Sequence, residues 1–173
     1  GFLSKIFGSK PTENGWKELN NLLAAAPDAL AVSADDVHHA LKKWGVKFHD
    51  DNCNQRSGIY RKLADVVFTE VQTKEDSLWA QLAHLAEILE LPPHLAKQAD
   101  KAAKTAAYFV RCRDLLAGTE KLDIKQLNEL FGYDYEDSLS MRKQVFQAHF
   151  NQKFDEISSA QRYTPEEEAA LRA

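Results

Sequence analysis

The chain has 173 residues, a formal net charge of −4 and 44% hydrophobic residues, enough apolar side chain for a packed core, while the acidic balance argues against nucleic acid as a partner. Cys53 and Cys112 are too few and too far apart for a disulfide framework or a paired-cysteine metal motif. That cysteine usage favours a reducing, cytoplasmic setting, and with no run of about twenty apolar residues to span a bilayer and no secretory pattern a soluble chain is expected.

In chain order, residues 1–11 come first as an amphipathic tail. Phe2, Leu3, Ile6 and Phe7 fall on one side of a single turn, with Lys5 and Lys10 and no acid. Such a segment suits docking on a partner protein or a lipid interface, but a helix this short is marginal in water, so lipid contact needs a second anchor. Lys5 stands where a myristoylation pattern wants Ser or Thr. A helix follows with Trp16, Leu19, Leu23 and Ala26 on one face, expected to cap the next element.

From there the chain reads as short-helix/long-helix pairs over about residues 33–72, 73–118 and 122–160, with a further helix opening at 164–173. The first short helix carries Val37, Ala40, Leu41 and Trp44 at helical spacing and turns at Gly45-Val46. The second runs from Thr73 to Leu89 with Leu78, Leu82, Leu85 and Leu89, closing at Leu91-Pro92-Pro93. The third carries Ile124, Leu127 and Phe131 and turns at Gly132-Tyr133. Trp44, Leu89 and Phe131 stand 45 and 42 positions apart. That is one two-helix unit per repeat.

The long helices are placed by caps and stripes. Asp51 is expected to cap the first, with Tyr60, Leu63, Val67 and Val71 inward. Pro93 suits the start of the second, which should end near Leu116. The third spans roughly Glu136 to Ser158, with Leu139, Phe146, Phe150, Phe154 and Ile157 as its inward stripe. Ser33 with Asp36, Thr73 with Asp76 and Thr164 with Glu167 place a hydroxyl three residues before a carboxylate, the pattern of a capping box. Nothing in these stretches alternates with period two. The expected fold is all-α, about eight helices in hairpins, with residues 12–173 as one helical repeat domain after the tail.

Candidate chemistry is sparse. His49, Asp50, Asp51 and Cys53 include zinc-ligand types but match no ligand spacing, and His38 and His39 point about 100 degrees apart on a helix, unlike an i, i+4 metal pair. No nucleophile elbow, phosphate cradle or paired-carboxylate signature accompanies them. No metal, no cofactor and no catalytic residue are expected. Lys97, Lys101, Lys104 and Arg111 recur at steps of four, three and seven, a stripe suited to an acidic ligand. Most of the aromatics sit at helical spacing and are expected in the core, Phe146 and Phe150 among them. Tyr133 and Tyr135, with Asp134 and Glu136, are expected to form an exposed recognition loop.

The helix-turn-helix succession resembles the all-helical tellurite-resistance TerB-like superfamily, and also the helical repeats of the chloroplast inner-envelope import scaffold. Leu41 to Val46, Ile88 to Leu91, Asn128 to Tyr133 and Tyr163 to Leu171 carry the resemblance. It implies a helical module in membrane-associated or stress-related assemblies. TerB-like domains often place an acidic Asp-Gly element associated with metal before the capped helix; here Arg162-Tyr163 precede Thr164, so metal binding does not carry over. The expected function is a non-catalytic protein-interaction or scaffold module with a protein partner or a second copy of itself. The alternatives are a peripheral membrane sensor that uses the tail, and a metal-dependent enzyme built on His49 or Cys53.

Overall fold

A computed structural model describes residues 11–160. Phe2, Leu3, Ile6 and Phe7, and the helix start at Thr164, lie outside the described residues. Within them the chain is helical without a strand, and seven α-helices follow in order: α1 (Pro11–Ala25), α2 (Ala34–Lys42), α3 (Cys53–Glu70), α4 (Ser77–Ile88), α5 (Pro93–Ala117), α6 (Ile124–Phe131) and α7 (Tyr135–Ala160). Single 3₁₀ turns at Ala29–Ala31 and Asp50–Asn52 precede α2 and α3.

Local chemistry sets the helix starts. Ser33 Oγ accepts from the Asp36 amide at 3.1 Å while Asp36 Oδ2 accepts from the Ser33 amide at 2.9 Å, closing a capping box before α2. Asp123 and Gln126 make the same exchange before α6, at 2.8 and 2.9 Å. Two expected caps are corrected. Helix α4 starts after Asp76, whose Oδ1 takes the Leu78 amide at 3.0 Å; Thr73 instead offers its carbonyl to the Trp79 indole N–H at 2.9 Å. Asp51 caps nothing and is 94% exposed, because the 3₁₀ turn pushes the start of α3 past it. Asn52 closes that turn, accepting from the His49 amide and donating to the Lys47 carbonyl.

The three short helices end alike. The residue after Trp44, Leu89 and Phe131 is in each case left-handed: Gly45 at φ 69°, Glu90 at 47° and Gly132 at 69°. The next amide then reaches back to the carbonyl five residues earlier, Val46 to Leu41 at 3.1 Å, Leu91 to Ala86 at 3.0 Å and Tyr133 to Asn128 at 2.9 Å. This is the Schellman arrangement. Glycine enters the left-handed region freely; a glutamate there costs about 1 kcal/mol.

The chain divides into two compact units between Ala107 and Tyr108, inside α5. In the first, α1 packs on α2 and α3 on α4, burying Leu19, Val37, Leu41, Ile59, Val67 and Leu85. A Cβ on Gly15 would stand 2.9 Å from Val46 Cγ2, so glycine sets how closely α1 approaches that turn. Phe68 meets Trp79 edge to face at 5.3 Å. Tyr60 Oη donates to Asp100 Oδ1 at 2.6 Å, and His84 bonds the Val32 carbonyl at 2.7 Å. Here α5 buries Ala99, Ala103 and Ala107.

In the second unit α5 buries Tyr108, Arg111 and Cys112, and Leu127, Phe131, Ser138, Arg142 and Val145 join them. Tyr108, Phe131 and Tyr133 form a ring cluster with centroids 5.1 to 6.0 Å apart, and Tyr108 Oη donates to Asn128 Oδ1 at 2.7 Å. The expected inward stripe of α7 is overturned in its second half. Phe146, Phe150, Phe154 and Ile157 are 39%, 64%, 61% and 58% exposed. The preceding helix is too short to line it: α6 has eight residues, about 12 Å, against 26 residues and about 39 Å for α7.

Candidate interaction sites

Two surfaces stand out, one in each unit. In the first, a pocket of about 500 Å³ opens among His38, Lys42, Val46, Lys47, Phe48 and Glu90. Helix α2 supplies His38 and Lys42, its Schellman turn supplies Val46, and the left-handed residue ending α4 supplies Glu90. Phe48 is braced on three sides: Trp16 stacks parallel at 6.5 Å, the His38 ring lies tilted at 5.0 Å, and the Arg56 guanidinium covers it at 4.7 Å. His38 Nε2 meets Glu90 Oε2 at 3.0 Å.

Arg56 is the frame of that pocket. It is 3% exposed and donates Nε to Asn52 Oδ1 at 3.0 Å, Nη1 to the Leu89 and Glu90 carbonyls at 3.1 and 2.8 Å, and Nη2 to the His49 carbonyl at 2.9 Å. Those two carbonyls end α4, where the helix dipole is negative and a cation is welcome. The buried charge is thus held by oxygens from two stretches of chain, the His49–Asn52 turn and the end of α4. Neighbouring aromatic chemistry is ordinary packing: the Trp44 indole N–H donates to Glu18 Oε2, and that bond, with Lys43 3.6 Å away, holds the Glu18 carboxyl below its usual value.

The second surface is the open face of α7. Phe146, Phe150, Phe154 and Ile157 follow one another at steps of four, four and three, so they share a face about 16 Å long. A contiguous row of exposed large apolar side chains on one helix is what an interaction surface looks like, whereas single exposed ones are commonplace.

Other sequence-derived candidates fall apart in space. Lys97 and Lys101 are exposed on α5, Lys104 is half-buried beside Asp100, and Arg111 is fully buried. The acidic-ligand stripe is therefore corrected at Arg111, whose Nε and Nη2 grip Glu120 Oε2 and Oε1 at 3.0 Å each. Burial raises the Glu120 pKa, but the Arg111 bonds and the Leu122 amide outweigh it and leave the carboxyl below its usual value. The recognition loop is corrected too. Tyr133 packs into the ring cluster, and only Tyr135 is open, 62% exposed, as the first residue of α7 beneath the Arg142 guanidinium at 4.6 Å.

Burial also shifts groups that carry no reactive neighbour. The Asp100 carboxyl is raised by burial against the lowering pull of Tyr60 and Lys104, the Tyr108 phenol is pushed up to about 12, and the Cys112 thiol is raised. His49 Nδ1 lies 3.7 Å from Asp51, and Cys53 Sγ accepts from Arg56 at 3.2 Å. Among the described residues no three His, Cys, Asp or Glu side chains gather as a metal site, and no helix is long and apolar enough to cross a membrane. The pocket, the Arg56 clamp and the open end of α7 were missed by sequence reasoning. Only the last had a signal, a long stripe paired with a short neighbour. No family model, no curated protein and no solved structure matches the chain.

Proposed function

We propose that the chain is a non-catalytic protein-interaction or scaffold module of a larger assembly, built from repeated helical hairpins, which offers the aromatic face of α7 to an amphipathic helix of a partner protein. The observation that carries this reading is the row Phe146, Phe150, Phe154 and Ile157, open along one side of a helix. A partner helix with apolar residues at i, i+4, i+8 and i+11 has the same spacing and length. Two features support the repeated frame. The three Schellman turns coincide with Leu41–Val46, Ile88–Leu91 and Asn128–Tyr133, the segments that carry the TerB-like resemblance. In addition, Arg56 and Arg142 each bond a side-chain oxygen four residues back and a carbonyl seven residues back, near the starts of α3 and α7. Membership of a membrane-associated or stress-related assembly follows from the resemblance, a cytoplasmic setting from the two lone cysteines, and both belong to the same proposal.

The test is the double substitution Phe150→Glu with Phe154→Glu in the whole chain. If the face is a docking surface, the variant melts within about 4 °C of the parent, because each exposed position costs less than about 0.5 kcal/mol. It also loses binding to a synthetic amphipathic helix with leucines at those four positions. A loss above about 2 kcal/mol would instead mean that the face is covered within the molecule, and the reading fails.

A further inference from the structure

We infer that the pocket beside Phe48 binds an acidic peptide segment of a partner protein, which inserts one large apolar side chain against Val46 and Phe48 while its carboxylates meet Lys42 and Lys47. The site lies in the first unit and is independent of the α7 face.

Three observations point to this chemistry. The volume, about 500 Å³, lies in the range of ligand pockets and accepts a single aromatic or branched side chain with room for its backbone. The floor is set in advance, since Trp16, His38 and Arg56 hold the Phe48 ring from three sides; a guest therefore orders little on entry. The rim is cationic. Lys42 and Lys47 are exposed, and among the described residues neither has an ion-pair partner, whereas Glu90, the acid on the rim, is engaged by His38. In a chain of net charge −4 this is a local reversal of sign, and complementary charge selects and steers an acidic partner.

Glu90 adds a backbone argument. The turns after α2 and α6 use glycine at the left-handed position, yet the turn on the pocket rim keeps a glutamate at φ 47°. A side chain held where glycine would be easier marks a position with a task. Its carboxylate fixes the His38 ring across the mouth, and its carbonyl takes the shortest of the Arg56 bonds, 2.8 Å. A nucleic acid is a poorer fit, because two lysines over an apolar floor neutralise few phosphates and the acidic chain repels the remainder.

Fluorescence anisotropy tests the site with the whole chain and a labelled peptide of sequence Asp-Asp-Phe-Asp-Asp. Saturable binding is expected that weakens with added salt and falls at least about tenfold when Phe is replaced by Ser, when every Asp is replaced by Asn, or when the protein carries Lys42→Glu with Lys47→Glu. The Lys42→Gln with Lys47→Gln protein gives an intermediate loss, and both variants keep the parent melting temperature because the lysines are exposed. The inference is overturned by absence of saturation up to about 1 mM peptide, by binding indifferent to the lysine variants, or by a single-stranded oligonucleotide that binds in preference to the peptide. None of these outcomes bears on the α7 face, which is read with other variants and another probe.

Discussion

Arg56 in the first unit and Arg111 in the second are both buried, and both lie over a phenylalanine ring, Phe48 at 4.7 Å and Phe131 at 5.8 Å. They differ in what answers their charge. Arg111 meets a carboxylate in a two-point grip, with the Glu120 side chain only 6% exposed. Arg56 has no ion-pair partner among the described residues and is satisfied by one amide side chain, the Cys53 sulfur and three main-chain carbonyls. A charge matched to a side chain can be removed together with its partner. A charge matched to the backbone cannot, because the carbonyls remain whatever is substituted around them.

The largest effect expected from this contrast is at Arg111. Arg111→Met strands a buried carboxylate and should cost about 3–5 kcal/mol, while Arg111→Met with Glu120→Leu should recover more than half of it. Arg56→Met leaves the Leu89, Glu90 and His49 carbonyls without that donor and should cost about 2–4 kcal/mol, with no single second substitution restoring it. Denaturant titrations of the parent, these three variants and Arg56→Met with Asn52→Leu decide the matter. A rescuable Arg56 variant, or an unrescuable Arg111 variant, would erase the distinction drawn here.

Acid sharpens the comparison further. The Glu120 carboxyl is held below its ordinary value in the folded chain, so its contribution is present above the unfolded value and lost as pH falls through the folded one. Asp100 in the first unit is raised mainly by burial, and its sign is opposite: folding favours its protonated form, a contribution present at low pH and lost as pH rises through the folded value. Amide exchange followed from about pH 6 to pH 3 should therefore show α6 losing protection before the Tyr60–Asp100 region, and Glu120→Gln should flatten the α6 response. The smallest expected effect is a gain. Glu90→Gly relieves the left-handed glutamate and should raise stability by about 1 kcal/mol, less whatever the exposed His38 contact contributes. A loss in the melting experiment would mean that the side chain holds the turn.

Much of the frame was legible in the sequence. Ser33 with Asp36 announced α2, Pro93 announced α5, and Gly132 ended α6, because each of those signals is local and acts through its own backbone. The failures are those that needed a neighbour. Asp76 capped α4 alone, so the Thr73 pattern was redundant. Lys97 and Arg111 share a spacing, yet one faces solvent and the other a carboxylate nine residues along the chain. The α4 leucines and the α7 phenylalanines have the same period, but Leu82 and Leu85 are covered and Phe150 and Phe154 are not; periodicity reveals a face and is silent on what lies against it. The pocket was illegible for the same reason, since His38 lies on α2, Phe48 in the loop before α3 and Glu90 in the turn after α4.

The Arg56 clamp has a kinetic corollary. Turns between helices are ordinarily the first places to open, and their amides trade hydrogen with solvent through small, cheap fluctuations. Here the α4–α5 turn is bolted by a guanidinium rooted 33 and 34 residues earlier in the chain. To swing that turn outward, the protein must also expose a desolvated cation and release the entry to α3. The Leu91 amide, at the surface end of a short helix, should therefore exchange as slowly as the interior of α3, making a loop one of the last parts of the first unit to let go.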